Sequence, residues 1–277
     1  MVEVREWTRG DTARLFRVPT ADDDKYARGV VALRTGSPAY PGAAVLGVEA
    51  AWRAGAGFVR YIGAERVADA VLARRPETVT GADTGRARVD AWVIGSGTDP
   101  THRSDAETTA LRDILTGPAA VVIDAGALDL AEGTTAPFLV TPHAREFARL
   151  QEGLGVSSAE EDRAQAAQHM ADRLEGTVLL KGSRTLIASP HGDVIAVDAG
   201  TGWLATAGTG DVLAGVLGAV LAANPGRPIA EVAAAGAWVH GHAGRIAAGT
   251  RGGAAGHPIV AMDVAAALPH AIADVLA

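Results

Sequence analysis

Ala207-Gly208-Thr209-Gly210-Asp211-Val212-Leu213-Ala214-Gly215-Val216-Leu217-Gly218-Ala219-Val220-Leu221-Ala222 is the stretch on which the reading of this chain turns. A tight glycine-rich turn holds one carboxylate and then opens an apolar run of Ala, Val and Leu. With that run helical, the amides of Gly208, Thr209 and Gly210 lie at its positive end, a place for an anion and most often a phosphate. Asp211 then sits beside the anion, where like charge repels it. A proton that must be removed is a physical reason to keep a carboxylate there. The plain alternative, an acidic residue in a helix first turn, is worth on the order of a few tenths of a kcal/mol. No Walker A pattern occurs in the chain.

Around this turn, short apolar runs alternate with longer Ala-rich stretches. The runs at 30–33, 58–62, 91–94, 119–123, 138–140, 178–180, 185–188 and 194–197 read as strands. Several are rich in β-branched residues and apolar on both faces, as buried parallel strands are. Helices are expected at 43–54, 66–74, 106–115, 144–150, 159–174, 212–223, 229–248 and 264–276. Ser158 with Glu161 resembles a capping box for the fifth of these, and Asp263 is a candidate cap for the last. The alternation predicts an α/β fold: a mostly parallel sheet covered by helices on both faces. Two late strands flank Ser189-Pro190-His191-Gly192-Asp193, which predicts an antiparallel hairpin near the sheet edge. In such sheets ligands bind beyond the carboxyl ends of the strands.

Bulk properties narrow the function classes. The 277 residues are 48% hydrophobic and 21% charged, which suits one large α/β domain or two small ones. A net charge of -7 argues against nucleic acid and anionic membrane as partners. The absence of cysteine removes disulfides, thiolate chemistry and cysteine zinc sites. Residues 1–17 are charged throughout with no apolar signal core, and 212–223 is too short to span a bilayer. A soluble cytoplasmic protein is the expectation. Only two lysines occur, Lys25 and Lys181.

Four segments at expected strand ends carry candidate chemistry. Thr35-Gly36-Ser37-Pro38-Ala39-Tyr40-Pro41-Gly42-Ala43 is a small-residue loop that lets a flat ligand approach the backbone, or an ordinary βα loop. Gly95-Ser96-Gly97-Thr98-Asp99 suits ribose or phosphate contacts but lacks the full G-x-G-x-x-G spacing. In Thr141-Pro142-His143-Ala144-Arg145-Glu146, His143 and Glu146 share one face of a starting helix. They are too few for a metal pair, and a capping role with Glu146 in the first turn explains them equally. Lys181-Gly182-Ser183-Arg184-Thr185 places a lysine where it reaches a polyphosphate, or a solvated surface. His240 and His242, on an Ala-rich helix, are assigned nothing.

Taken in order, these segments resemble the ribokinase-like superfamily, and within it the NAD(P)H-hydrate dehydratase family, from about Lys25 to the end of the sequence. Val122-Ile123-Asp124-Ala125-Gly126-Ala127-Leu128 resembles the family's D-A-x-A-L. The run from Leu139 through Thr141-Pro142-His143 and Glu146 to Leu150 resembles its L-T-P-H-x-x-E-x-x-x-L, where related kinases usually carry asparagine in place of His143. Val178 to Gly182 resembles V-L-K-G, and Thr206 to Gly215 resembles T-G-G-T-G-D-V-L-x-G. Each is weak alone; four in this order and spacing are specific.

The resemblance implies a single three-layer αβα domain over 1–277 with no separate lid. It implies cofactor repair: NADHX or NADPHX is phosphorylated on its hydrate hydroxyl at the expense of ATP or ADP with magnesium, and phosphate then leaves. By resemblance, Gly208, Thr209 and Gly210 donate amides to the transferring phosphoryl group and Asp211 accepts the hydroxyl proton. Lys181, Gly182, Ser183, Arg184 and Thr185 line the nucleotide site with Gly210. Ala43, Gly97, His143 and Asp211 contact the hydrated cofactor, and Glu146 helps hold Mg2+ through water. The resemblance also implies a homo-oligomer, a tetramer in much of the family, and an epimerase as functional partner. The 24 residues before Lys25 are too few for the epimerase domain often fused in front, so a separate one is expected.

Four departures stand out. Ala207 replaces a usual glycine, and Gly202-Trp203-Leu204-Ala205 replaces Pro-Gly-Met-Ala. Asp129 stands for asparagine, and Arg34-Thr35-Gly36-Ser37 for Gly-Gly-Ser. They keep two other readings in view: a kinase for a hydroxymethylpyrimidine or hydroxyethylthiazole alcohol, and a nucleotide-binding module with impaired catalysis.

Overall fold

The computed structural model describes residues 2–156 and 162–277. In chain order the elements are β1 (Val4–Glu6), α1 (Arg9–Ala13), β2 (Val30–Arg34), α2 (Pro41–Arg53), β3 (Phe58–Ile62), α3 (Glu65–Arg74), β4 (Val79–Gly81), β5 (Ala91–Ile94), α4 (Asp105–Leu115) and β6 (Ala120–Ile123). They continue as β7 (Phe138–Val140), α5 (Ala144–Leu154), α6 (Arg163–Leu174), β8 (Thr177–Leu180), β9 (Thr185–Ala188), β10 (Val194–Val197), α7 (Thr209–Ala223), α8 (Ile229–Ala247) and α9 (Ala261–Leu276).

The ten strands of the described residues form one sheet in the order β1-β10-β9-β8-β7-β6-β5-β2-β3-β4. From β4 to β8 every neighbouring pair is parallel. β9 alone is reversed and pairs antiparallel with both β8 and β10. The expected hairpin is therefore the second half of a three-strand meander. β1 closes the edge in parallel with β10, with Val4 opposite Val194.

The sheet is covered on both faces because its central strands are apolar on both. In β6, Val122 packs on one side with α2, α7, α8 and α9, while Val121 and Ile123 face α4, α5 and α6 on the other. α7 is apolar almost all round and correspondingly buried along its length, as a helix between a sheet and further helices must be.

All eight expected strands and eight expected helices are present, with ends moved by a few residues. β1, α1 and β4 were not expected; their three- and five-residue lengths are too short for periodicity to register. Asp263 is not the cap of α9 but its third residue, and its Oδ2 accepts the Val260 N–H at 2.9 Å. The capping pair Ser158 and Glu161 lies outside the described residues. The helix expected there is seen from Arg163, with Asp162 Oδ1 accepting the Ala164 and Gln165 amides, each at 2.9 Å.

Candidate active site

Strand order reverses between β2 and β5: β3 and β4 lie to one side of β2, and the later parallel strands lie to the other. Ligands of open α/β sheets bind at such a point, beyond the carboxyl ends. The loops following β2 and β5 meet there, with Gly36 N–H donating to Ser96 O at 2.7 Å. Gly97 has φ +69°, and a Cβ added to it would lie 2.3 Å from the Ala43 Cβ. Ala43 and Gly97, both expected at the substrate, are therefore in direct contact.

The glycine turn lies across this point. Gly208 starts α7 with φ +89°, and an added Cβ would stand 2.7 Å from Leu46 Cδ1 and 3.0 Å from the Ala261 Cβ. Glycine is needed there for both backbone and space. The Thr209 hydroxyl donates to Leu204 O at 2.9 Å or Thr206 O at 3.0 Å, which fixes the approach to the turn. The first intrahelical bond runs from Val212 N–H to Gly208 O at 3.1 Å. The N–H groups of Thr209, Gly210 and Asp211 have no partner among the described residues, so three donors converge at a positive helix end.

Asp211 is half-buried, and the Ser96 hydroxyl donates to its Oδ1. Burial pushes its carboxyl above the ordinary range; the Ser96 hydrogen bond opposes that, the Asp124 charge adds to it, and Lys181 opposes it again. The Lys181 ammonium lies 2.9 Å from Asp124 Oδ1 and 3.7 Å from Glu146 Oε2. Burial lowers its proton affinity, but the charges of Asp124 and Glu146 outweigh burial and hold it above the usual lysine value. A Cβ added to Gly210 would be 3.7 Å from Lys181 Nζ, which places the ammonium at the mouth of the amide cluster. The two expected phosphate contacts, from segments far apart in the chain, thus converge.

His143 has the capping role that the sequence left open. Its Nδ1 accepts the Arg145 and Glu146 amides at 3.1 and 3.2 Å, and Glu146 Oε2 accepts the His143 N–H at 2.8 Å. Capping leaves the proton of the neutral ring on Nε2. His143 also lines a cavity of about 580 Å³ together with Lys181, Gly182, Ser183, Thr185 and Gly210. A second cavity, of about 700 Å³, is lined by Tyr40, Gly97, Asp129, Glu146 and Arg149. Glu146 and His143 stand between them.

Arg184 departs from the expected set. Its guanidinium pairs with Glu6 of β1, and it does not line the first cavity. Among the described residues, no group of three or more His, Asp or Glu could hold a metal ion alone. Magnesium keeps much of its water and binds through one or two carboxylates and the phosphates it accompanies, so its fit here rests on the Glu146 carboxylate beside Lys181. Glu146 is at hand for this, although its Oε2 already serves His143 and faces Lys181.

The departures also find their places. Ala207 does not have a positive φ, and it is exposed, so its methyl does not strain the turn. Trp203 turns away from the 580 Å³ cavity, its indole N–H donating to Ala255 O at 2.8 Å. Asp129 is paired with Arg103, and Arg34 grips Glu107 at 2.9 and 2.5 Å.

Three residues of this site had no assigned role in the sequence. Asp124 sits at the carboxyl end of β6, where the strand-end rule would have found it. Ser96 lay inside a segment already marked. His240, whose Nε2 is 3.0 Å from Thr209 O, had no local signal.

The largely parallel sheet has the fold of a ribokinase-like superfamily protein of Enterococcus faecalis, with a TM-score of 0.83 at 24% identity over 98% of this chain and 96% of that one. The chain belongs to the NAD(P)H-hydrate dehydratase family, whose model matches residues 31–261. It is 36% identical to the ADP-dependent (S)-NAD(P)H-hydrate dehydratase of Neisseria meningitidis, over 87% of this chain and 85% of that one. It is 44% identical to the bifunctional NAD(P)H-hydrate repair enzyme Nnr of Mycobacterium leprae, over 87% of this chain and 50% of the relative. The chain thus spans about half the length of the bifunctional relatives it matches. A solved structure, the ADP/ATP-dependent NAD(P)H-hydrate dehydratase of Bacillus subtilis co-crystallized with ATP/Mg2+, has a TM-score of 0.85 at 27% identity, covering 98% of this chain and 99% of that one. No helix among the described residues is long and apolar enough to cross a membrane.

Proposed function

We propose that this chain restores NADH and NADPH from their hydrates, NADHX and NADPHX, by a dehydration driven by ADP or ATP. One arrangement carries the reading: the half-buried Asp211 carboxylate stands in the first turn of α7 beside its unpaired amides, with the Lys181 ammonium at their mouth and the cavity lined by Lys181 and Gly210 next to them. In this reading the nucleotide occupies the cavity lined by Lys181, Gly182, Ser183 and Thr185. The hydrate occupies the side framed by Ala43, Gly97 and His143.

Asp211 accepts the proton of the hydrate hydroxyl while its oxygen bonds to the terminal phosphorus of the nucleotide. The amides of Gly208, Thr209 and Gly210 and the ammonium of Lys181 stabilise the charge that develops on the phosphoryl oxygens. The carbon–oxygen bond then breaks, its electron pair leaving with phosphate. The adjacent ring carbon loses a proton, and that C–H pair forms the double bond. Magnesium, held by Glu146 through water, would supply charge neutralisation on the phosphates. His143, its Nδ1 committed to capping, presents Nε2–H as a donor to the hydrate. The tetramer and the epimerase partner rest on the resemblance alone.

NADHX supplied with ADP or ATP and magnesium should regain NADH absorbance. No recovery with either nucleotide overturns the proposal. Phosphorylation of a pyrimidine or thiazole alcohol in its place would identify a vitamin-precursor kinase, and nucleotide binding without turnover a non-catalytic module.

A further inference from the structure

His240 lies on α8, distant in sequence from the glycine turn, and is buried. Its Nε2 stands 3.0 Å from the carbonyl oxygen of Thr209. A carbonyl only accepts, so this nitrogen carries the proton. The neighbouring His242 is engaged elsewhere, 2.9 Å from Asp274. The bond to Thr209 thus belongs to His240 and not to the helix face as a whole.

The bond falls on one particular peptide. Thr209 C=O and Gly210 N–H belong to a single planar trans unit and point in opposite directions. The Gly210 N–H is one of the unpaired donors at the start of α7. A hydrogen bond on the Thr209 oxygen therefore reinforces, at the unpaired end of the helix, the direction in which the Gly210 amide points. Hydrogen bonds in series also polarise one another, so the same contact makes that amide a stronger donor. The Thr209 hydroxyl bonds to the carbonyls of residues 204 and 206, so the Thr209 carbonyl takes its helical partner within α7 and, from outside the helix, His240. The ring also lines the 580 Å³ cavity beside Ala237 and Gly241.

We infer that His240 is a positioning residue for phosphoryl transfer: through Thr209 it aims the Gly210 amide at the transferring phosphoryl group. The inference rests on the function proposed above. Burial depresses the imidazole to about 4, so the ring is neutral and its tautomer is set by the Thr209 carbonyl alone.

Two substitutions of similar polarity separate positioning from mere filling. In His240→Gln the amide nitrogen reaches the position of Nε2; in His240→Asn it falls short, near that of Nδ1. Turnover of NADHX with ADP should fall about tenfold to a hundredfold in the Asn variant and be largely restored in the Gln variant. The KM for NADHX and the ADP affinity by calorimetry should stay within about threefold in both, because the lost interaction belongs to the transition state. Equal turnover in the two variants, whether high or low, overturns the inference. So does a loss confined to ADP affinity. If melting temperature, and not the reach of the replacement, tracks the turnover loss across Gln, Asn and Leu, His240 is packing alone and the inference is overturned. Wild-type protein that cannot restore NADH refutes the proposed function instead.

Discussion

The contact between Gly97 and Ala43 ties the β5 loop to α2 and lends itself to a quantitative test. Gly97→Ala introduces two costs. The residue must hold φ +69°, which for an L-residue costs roughly 1–2 kcal/mol. Its Cβ would meet that of Ala43 at 2.3 Å, far inside ordinary carbon contact, so α2 or the loop must yield, at roughly 1–3 kcal/mol. The expected loss is about 3 kcal/mol. Gly133→Ala is the control: φ is +78° with nothing within 4 Å, so only the backbone cost of about 1–2 kcal/mol applies. Ala43→Gly removes the opposing methyl at a helix-propensity cost of up to about 1 kcal/mol. In that background Gly97→Ala should regain about 1–2 kcal/mol as a coupling energy. Urea unfolding of the wild type, both single variants and the double variant measures it. The KM for NADHX should rise in Gly97→Ala and partly recover in the double variant. A coupling near zero, or a loss no larger than that of Gly133→Ala, would refute the packing argument.

Asp211→Asn should retain ADP binding by calorimetry and lose about 10² to 10⁴ in turnover, and retained turnover would remove it as the base. Because a base acts deprotonated and the Asp211 carboxyl is raised, kcat/KM should fall on the acid side at a pH above the ordinary aspartate range, and that limb should vanish in the variant. Lys181→Met leaves Asp124 and Glu146 without their shared cation, so ADP affinity should weaken about tenfold to a hundredfold; unchanged affinity would place the nucleotide elsewhere. Glu49 is fully buried under the guanidiniums of Arg53, Arg74 and Arg75, which overcome burial and hold its carboxyl at about 2. A depressed carboxyl contributes stability that is complete above its unfolded value and lost as pH falls through the folded one. Glu49→Gln should thus cost about 2 kcal/mol in urea unfolding at neutral pH, after screening of the part-exposed guanidiniums, and the deficit should shrink between pH 4.5 and about 2. An equal deficit at both ends would rule out the charge.

Elements long enough to complete a period could be read from the residues: every expected strand and helix recurs. What escaped was short or non-local. β1 acquires strand conformation by pairing with a segment near residue 194, which no local window contains. The turn proposed to meet the phosphate stood out because Gly208 to Asp211 is contiguous and helix physics gives it meaning. Lys181 was marked, but its partners Asp124 and Glu146 follow other strands, and only the parallel order brings their ends together. Arg184 was assigned to the nucleotide by resemblance, and in the structure Glu6 of β1 engages its guanidinium. Of the two readings of His143, the capping one is seen, its Nδ1 accepting two amides, while its Nε2 lies 3.6 Å from Glu146 Oε1 and its contact with the hydrate is a proposal. His240 depends on a helix crossing behind the turn, which belongs to tertiary packing.

The pairing of Val4 with Val194 has a consequence for biogenesis. Of the described strands, β1 is made before the others and is among the last to find its place, because its neighbour β10 is made after them. Until then β10 has no cover for its outer edge, and the loop bearing Lys181 lacks the Glu6 contact that tethers Arg184. Contacts of such long sequence separation slow folding, and an open edge strand invites pairing with another chain. The nascent protein is therefore most exposed to aggregation shortly before the loop bearing Lys181 becomes anchored, and both conditions end with the docking of one three-residue strand.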